Sequence, residues 1–261
     1  MGYKTDGSPH SGGIKNENVL KSALEQNPNM FGHEDAYGSL IEVVKRGGTK
    51  HKDDLTMMFR DNISCGISAK RWSGATHDWC NDSKSVKELS NKYSDYNRII
   101  QDGLEIVPSR DKEKQRARVN EAGFRQLQFL NEKPKDLKSI IKNKFEEIRG
   151  QEIILNDVKN KQWVYYKAKD LPIFDKIDDP NWVPSLNINP TEKNPFPTSA
   201  NIEGTNLRLR AVTNNGVGAL LGLSKSNKSS VFVLKIQQDN VETLNTTLEE
   251  QGKLKRASYE R

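Results

Sequence analysis

The stretch that decides the fold is residues 47–71, which read GGTKHKDDLTMMFRDNISCGISAKR. Two short apolar runs stand out in it, Leu55–Phe59 and Ile63–Ala69, and the polar tripeptide Arg60-Asp61-Asn62 separates them. Short β-prone runs on either side of a polar turn are typical of a β-hairpin. The stretch therefore predicts two antiparallel strands that lie side by side in a sheet.

A carboxylate and a lysine are predicted at the same end of this hairpin, because Asp54 opens the first strand and Lys70 ends the second. A carboxylate in that position holds a hard divalent cation, with a backbone carbonyl and waters completing the shell. The metal polarises a phosphate, and the lysine orients the attacking water and stabilises developing negative charge. The pattern indicates phosphodiester hydrolysis. The alternative is a structural hairpin in which Asp54 caps a backbone N–H and Lys70 covers a strand end.

Because side chains alternate along a strand, the residues next to Asp54 and Lys70 are predicted on different faces of the sheet. Ser68 shares the face of Lys70 at i, i+2, and it is a candidate to support a water or the metal. Ala69 would contribute only its backbone carbonyl. Asp53 adjoins Asp54 but should face the other side of the strand, so we expect Asp54 rather than Asp53 to hold the metal.

Hydrophobic periodicity in the rest of the chain predicts an α/β (mixed α+β) fold, with strands near both ends and a helical middle. A proline-rich connector and a loose tail from Gly252 complete the pattern. The predicted helices are 16–26, 83–103, 111–130, 136–149 and a last one from 244; the further strands are 39–44, 163–167, 207–212 and 231–236; the connector is 179–197.

Composition limits the classes of protein to which the chain can belong. It has 261 residues, with 41 Lys+Arg against 35 Asp+Glu and a net charge of +6. No run approaches the ~18 apolar residues of a membrane span, and residues 1–13 lack the apolar core of a secretory signal. Two cysteines, Cys65 and Cys80, are too few to staple a chain of this length. These features predict a cytoplasmic protein with no membrane partner.

The positive charge is concentrated in two segments. Residues 204–238 contain five Lys/Arg and no acid, and residues 45–71 contain seven basic residues against three acids. Acid-poor basic segments are typical of surfaces that bind phosphate. A solvated lysine-rich face is the alternative that charge alone leaves open.

The hairpin residues resemble the PD-(D/E)xK nuclease superfamily, with Asp54 as the strand aspartate and Ser68-Ala69-Lys70 in place of (D/E)xK. Ser68 stands where an acid is usual, and some type II restriction endonucleases have Asn or Gln there. Three further segments are similar, in the same order, to small four-base-pair cutters of the MspI type. They are the start, Gly12 to Glu17; the middle, Arg110 to Trp163; and the closing run, Gly216 to Ile236.

This resemblance implies a restriction-endonuclease-like core, a mixed β-sheet flanked by helices, within a single nuclease domain over residues 1–261. It implies a catalytic core at about 12–80, a helical middle at 81–150 and a DNA-recognition segment at about 200–240. The implied activity is Mg²⁺-dependent, sequence-specific hydrolysis of double-stranded DNA at a short palindromic site, leaving 5′-phosphates. Asp54, Ser68, Lys70 and Glu17 would be catalytic, and Asp54, Ala69 and Glu17 would bind Mg²⁺.

Restriction enzymes read base edges with paired donors and acceptors in the major groove. The alternation in Leu207-Arg208-Leu209-Arg210 predicts both arginines on one strand face and both leucines in the core. Trp72, Ser73 and His77 follow Lys70 closely and would flank the scissile strand, although core packing is the alternative for Trp72. The predicted DNA contacts are Trp72, Ser73, His77, Arg208, Arg210, Asn214, Asn215, Lys225, Asn227 and Lys228, some of which would contact phosphate rather than bases.

Two other functions stay open at this point: a phage or repair nuclease on the same core, and a non-catalytic DNA-binding protein that lost the acid at Ser68. A cognate DNA methyltransferase is expected in the same system, though not as a bound subunit. His33, His51 and His77 do not have the spacing of metal ligands, so no zinc site is expected.

Overall fold

The structure, a computed structural model, describes residues 8–46, 53–72, 76–105, 112–214 and 229–259. It confirms the predicted mixed α+β class. The helices are α1 (Ser8–Gln26), α2 (His33–Tyr37), α3 (Ser83–Lys92), α4 (Ser94–Leu104), α5 (Lys112–Asn131), α6 (Pro134–Glu146), α7 (Ile173–Asp178) and α8 (Gln238–Glu250). The strands are β1 (Leu40–Lys45), β2 (Leu55–Phe59), β3 (Ser64–Trp72), β4 (Thr76–Asp82), β5 (Glu152–Asp157), β6 (Gln162–Lys167), β7 (Leu186–Asn187), β8 (Ser199–Ile202), β9 (Leu207–Asn214), β10 (Ser229–Gln237) and β11 (Lys255–Ser258).

The chain divides into two compact units, each assembled from separate segments. The first unit takes the described parts of residues 1–77, 145–174 and 241–261, and the second takes those of 78–144 and 175–240. Each unit has its own sheet. In the described part of the chain, no helix has the length and apolar character needed to cross a membrane.

The sheet of the first unit is mixed, with the strand order β1-β2-β3-β5-β6-β11. Strands β1, β2 and β3 are antiparallel neighbours, β3 and β5 are parallel, and β5, β6 and β11 are again antiparallel. The parallel pair requires a long crossover, and residues 73–151 separate the two strands in sequence. This sheet is the scaffold that carries the predicted catalytic residues.

The predicted hairpin is confirmed as β2 and β3, and one of its faces forms the core. Leu55 and Met57 of β2 pack with Ile67 of β3 beneath Leu20 and Leu24 of α1, and all five side chains are fully buried. Full burial of such a side chain stabilises the fold by roughly 1.5–3 kcal/mol. Since side chains alternate along a strand, the even-numbered hairpin residues point to the opposite face.

The turn of the hairpin is a short 3₁₀ segment, Arg60–Asn62. Asp61 and Asn62 have φ values of 63° and 60°, in the left-handed region. Aspartate and asparagine are the non-glycine residues that adopt this conformation most readily. The predicted polar turn is thereby explained by the backbone that it has to form.

The sheet of the second unit has the order β4-β10-β9-β8-β7, and a buried polar network joins it to the helices. The Gln126 amide on α5 donates to the Thr213 hydroxyl at 3.0 Å, and its carbonyl accepts from the hydroxyls of Ser230 at 3.1 Å and Tyr96 at 3.2 Å. Satisfied buried networks of this kind rigidify the elements that they join. The β9–β10 pair, which carries Arg208 and Arg210, is therefore firmly anchored.

Three expectations about the elements are wrong. The tail after Gly252 is not loose, because β11 pairs with β6. The predicted helix over 83–103 is two helices, since Tyr93 is extended with φ −129° and ψ 116°. The buried strand β5 was missing from the prediction, because a short run such as Glu152-Ile153-Ile154-Leu155 has no alternation to mark it.

Candidate active site

The Asp54 end of the hairpin is held by backbone hydrogen bonds on two sides. The Asp54 N–H donates to the carbonyl of Ile67 at 2.9 Å, and the Asp54 carbonyl accepts from the Arg46 N–H at 3.1 Å. Leu55 and Ile67 are the last pair of the antiparallel β2–β3 ladder, so Asp54 lies just beyond the end of that ladder. These bonds fix the point at which the Asp54 carboxylate leaves the sheet.

Three donors from consecutive residues of β3 converge on one oxygen of the Asp54 carboxylate. The Ala69 N–H donates to Oδ2 at 2.8 Å, the Ser68 hydroxyl at 3.4 Å and the Lys70 ammonium at 3.4 Å. The side chains of Asp54 and Lys70 are 24% and 23% exposed, so a ligand can reach them. The structure brings together the aspartate and all three residues of the Ser68-Ala69-Lys70 motif.

The carbonyl of Ala69 also faces the Asp54 side of the sheet. In a regular strand the N–H and C=O of one residue point toward the same neighbouring strand. The Ala69 N–H points to Asp54, and the β2–β3 ladder ends at the pair of Leu55 and Ile67. The Ala69 carbonyl therefore lies beyond the last ladder pair, where a backbone oxygen can serve as a ligand.

The oxygen atoms of this site suit a hard cation. Within the described residues, all three donors bond to Asp54 Oδ2 and none bonds to Oδ1. Oδ1, the Ser68 hydroxyl and the Ala69 carbonyl are oxygen ligands of the kind that Mg²⁺ takes, with waters filling its remaining positions. Ser68 is uncharged, so Asp54 supplies the one carboxylate among these ligands. Waters would therefore have to fill most of the coordination sphere of a metal bound there.

Glu17 is connected to this end of the sheet through Lys45. Its Oε2 atom pairs with the Lys45 ammonium at 2.9 Å, and Lys45 is aligned with Leu55 in the β1–β2 ladder. Among the described contacts, none joins Glu17 directly to Asp54. The predicted catalytic and metal-binding role of Glu17 therefore stays a prediction.

The expectation that Asp53 faces away from Asp54 is wrong. The Asp53 carboxylate accepts a hydrogen bond from the Thr56 hydroxyl, and a Cβ at Gly66 would come within 3.2 Å of Asp53 Cβ. Thr56 and Gly66 are ladder partners on the face that also carries Asp54. The alternation rule does not apply, because Asp53 precedes the strand and the chain bends at Asp54. Asp53 nevertheless bonds to Thr56 and not to the β3 motif.

The predicted alternation in β9 is confirmed. Leu207 and Leu209 are buried, at 2% and 0% exposure, whereas Arg208 is half-buried and Arg210 is exposed. Arg208 is aligned with Asn201 of β8 and with Lys235 of β10. Asn201 lies beside Arg208 only through the register of the sheet, which the sequence pattern does not show.

The side chains of the other predicted DNA contacts are outside what the structure describes. Trp72, His77 and Asn214 belong to β3, β4 and β9, but their side chains are outside what the structure describes. Outside the described residues altogether lie Ser73, Asn215, Lys225, Asn227 and Lys228.

A second polar group lies in the core of the first unit, on the face opposite to Asp54. His33, Cys65 and Glu152 are buried there, and one ligand atom of each lies within 4.8 Å of the others. Burial alone raises the pKa of Glu152, but hydrogen bonds from His33, Cys65 and Tyr165 bring that pKa below its ordinary value. Burial, followed by the charge of Glu152, raises the pKa of the Cys65 thiol. Sequence spacing could not reveal this group, because its members come from α2, β3 and β5.

In comparison with known proteins, the sequence matches no protein-family model and no curated protein.

Proposed function

We propose that this protein is a type II restriction endonuclease, which hydrolyses double-stranded DNA at a short palindromic site with Mg²⁺ as cofactor. The observation that carries the proposal is the convergence of the Ala69 N–H, the Ser68 hydroxyl and the Lys70 ammonium on the Asp54 carboxylate. A partly exposed carboxylate that can hold a metal and a lysine beside it are groups that metal-dependent phosphodiester hydrolysis uses. The mixed sheet that holds them supports the nuclease core.

Each residue has a distinct part in the proposed reaction. Asp54 and the Ala69 carbonyl would hold Mg²⁺, with the Ser68 hydroxyl supporting a water beside them. When bound, Mg²⁺ would polarise the scissile phosphate and lower the pKa of a water. Lys70 would orient the attacking water and stabilise the negative charge that develops on the phosphate.

The Lys70 ammonium is suited to this part by its surroundings. It lies 3.4 Å from Asp54 Oδ2, which fixes its position without a short, tight ion pair. With its side chain 23% exposed, it keeps donors for a water or a phosphate oxygen, since an ammonium has three. The resemblance to restriction endonucleases implies that hydrolysis would leave a 5′-phosphate and a 3′-hydroxyl.

Recognition of the DNA is assigned to the β9–β10 surface, defined here by Arg208 and Arg210 of β9 and by Asn201 of the neighbouring β8. Arg208 and Arg210 lie on the solvent side of a sheet whose other side is anchored by Gln126. Arginine pairs with guanine or with phosphate, and asparagine pairs with adenine. A rigid pair of strands that carries both residue types suits recognition of a short site.

Under this proposal the protein acts in the cytoplasm of a cell that also makes a DNA methyltransferase. The methyltransferase would protect the host sites and would not be a bound subunit. One active site cuts one strand, so a duplex cut requires a dimer, a pair assembled on DNA or two successive nicks. A repair or phage nuclease on the same core, and a DNA-binding protein without activity, are the competing functions.

Digestion of phage DNA distinguishes these functions. We expect purified protein with Mg²⁺ to produce discrete bands, because a sequence-specific enzyme cuts at fixed positions. A smear would contradict sequence-specific restriction and would favour a structure-specific or repair nuclease. Binding without any cutting would contradict both catalytic functions and favour the DNA-binding protein.

The β9–β10 surface gives a separate prediction. Replacing the exposed Arg210 with alanine should weaken DNA binding and lower the slope of log K against log salt by about 1, as expected for one lost phosphate contact. Arg256 is the matched control, because its guanidinium is held by Glu249 through hydrogen bonds of 3.0 and 2.9 Å. Fluorescence anisotropy across a salt series measures both variants. Equal binding of DNA by R210A and wild type would show that Arg210 does not contact the DNA.

A further inference from the structure

The buried group formed by His33, Cys65 and Glu152 combines the three side-chain types that bind zinc. Their exposures are 2%, 7% and 4%, and their ligand atoms all lie within 4.8 Å of one another. His33 begins α2, Cys65 lies in β3, and Glu152 begins β5. The group therefore holds a helix and two adjacent strands of the first unit together.

The carboxylate of Glu152 is the centre of the group. His33 Nε2 lies 2.5 Å from Oε2, and the Tyr37 hydroxyl donates to Oε1 at 3.3 Å. An isolated buried carboxylate would be costly, so the His33 and Tyr37 contacts account for its tolerance in the core.

Neither protonation state of His33 leaves the group fully satisfied. His33 Nδ1 is buried and has no hydrogen-bond partner within the described structure. If the ring is an imidazolium, that atom is a charged N–H with no acceptor. If the ring is neutral, Glu152 lacks a close cation, since Lys167, opposite Glu152 on β6, forms no ion pair with it among the described residues.

A zinc ion would supply the cation that the neutral-ring state lacks. A Cys65 thiolate and the Glu152 carboxylate together carry two negative charges, which one Zn²⁺ neutralises while His33 binds as a neutral imidazole. Zinc bonds of 2.0–2.3 Å in a tetrahedron put ligand atoms about 3.3–3.6 Å apart. His33 and Glu152 therefore have to separate by roughly 1 Å from their hydrogen-bonded distance, a shift within the reach of side-chain rotation.

The surroundings of the group favour a structural ion. The rings of Phe31, Phe59 and Tyr165 lie around His33, with centroids 6.2, 6.5 and 5.5 Å from its own, and they form a largely apolar shell. Tyr37, which donates to Glu152, is half-buried, so the group lies close to the accessible surface. A largely apolar shell limits solvent access to a metal site.

We propose that His33, Cys65 and Glu152 bind a structural Zn²⁺ ion that fastens α2 to β3 and β5, with a water as its fourth ligand. The site is separate from the Asp54 group, because Cys65 and Ile67 line the α1-covered face and Asp54 lies on the other. The inference does not depend on nuclease activity, and its test does not measure cleavage.

Metal content and cobalt spectroscopy test the site. Untagged full-length protein, purified without chelator, should contain about one zinc per chain, and Co²⁺ in place of zinc should give a thiolate-to-cobalt charge-transfer band. Cys65→Ser should lose both signals. Cys80→Ser is the matched control, since Cys80 is the other cysteine of the chain, and it should keep both.

Two results would overturn the zinc site: wild-type protein with neither zinc nor a thiolate–cobalt band, or a Cys65→Ser protein that keeps the full zinc content. If Cys65→Ser does not fold, the cobalt band of wild type and of Cys80→Ser decides alone. A band in both supports Cys65 as the ligand, and no band in wild type leaves a buried His33–Glu152 ion pair.

Discussion

Replacing Asp54 with asparagine should lower the rate of Mg²⁺-dependent DNA cleavage by about 10³-fold or more, because it removes the single carboxylate of the proposed metal site. Asparagine keeps the size of the side chain and can still accept from the Ala69 N–H, which now bonds at 2.8 Å. The hairpin should therefore keep its structure while the site loses its negative charge. Single-turnover cleavage at saturating protein measures the effect.

Asp53→Asn is the matched control for this prediction. Asp53 adjoins Asp54 in sequence but bonds to the Thr56 hydroxyl, and an asparagine oxygen can accept the same bond. We expect this variant to cleave DNA within a few-fold of the wild-type rate. An Asp53→Asn enzyme as inactive as Asp54→Asn would show that loss of either charge is enough, and the assignment of the metal to Asp54 would then be wrong.

Replacing Lys70 with alanine should reduce the cleavage rate by about 10²–10³-fold, the usual cost of removing one donor that stabilises a transition state. The ammonium lies 3.4 Å from Asp54 Oδ2, at the place where charge is expected to develop. Because the effect is confined to the transition state, the affinity for DNA should change little. Rates under single-turnover conditions and binding in Ca²⁺ separate the two quantities.

Lys253 is the control for loss of a positive charge alone, since its side chain is exposed in the turn that follows α8. Lys253→Ala should cleave DNA like the wild type. If Lys70→Ala loses affinity in proportion to rate, Lys70 is a phosphate contact and not a catalytic group. If it keeps full activity, the lysine only covers the end of its strand.

Local pattern was enough to predict the hairpin and the grouping of Asp54 with Ser68, Ala69 and Lys70 on it. Apolar residues alternate through Leu55 and Met57, the turn uses Asp61 and Asn62 at positive φ, and the spacing to Lys70 follows from the register. The residues that make these contacts are close in sequence, so the local sequence pattern is enough to predict how they are arranged. The alternation of Arg208 and Arg210 was predictable for the same reason.

Features that depend on distant parts of the chain could not be predicted. β11 becomes a strand because β6 offers it an edge, and the polar residues Lys255 and Arg256 give no sign of this. Asn201 comes to lie beside Arg208 only through the register of β8. Residues far apart in sequence form the buried group of His33, Cys65 and Glu152, which no spacing rule detects.

Cleavage of a supercoiled plasmid by the wild-type protein, with and without Mg²⁺, tests the central claim most directly. We predict linear DNA that appears only with Mg²⁺ and whose 5′ ends accept a kinase label only after phosphatase treatment, which shows a 5′-phosphate. A protein that binds the plasmid but leaves it supercoiled at every Mg²⁺ concentration would contradict the proposed nuclease.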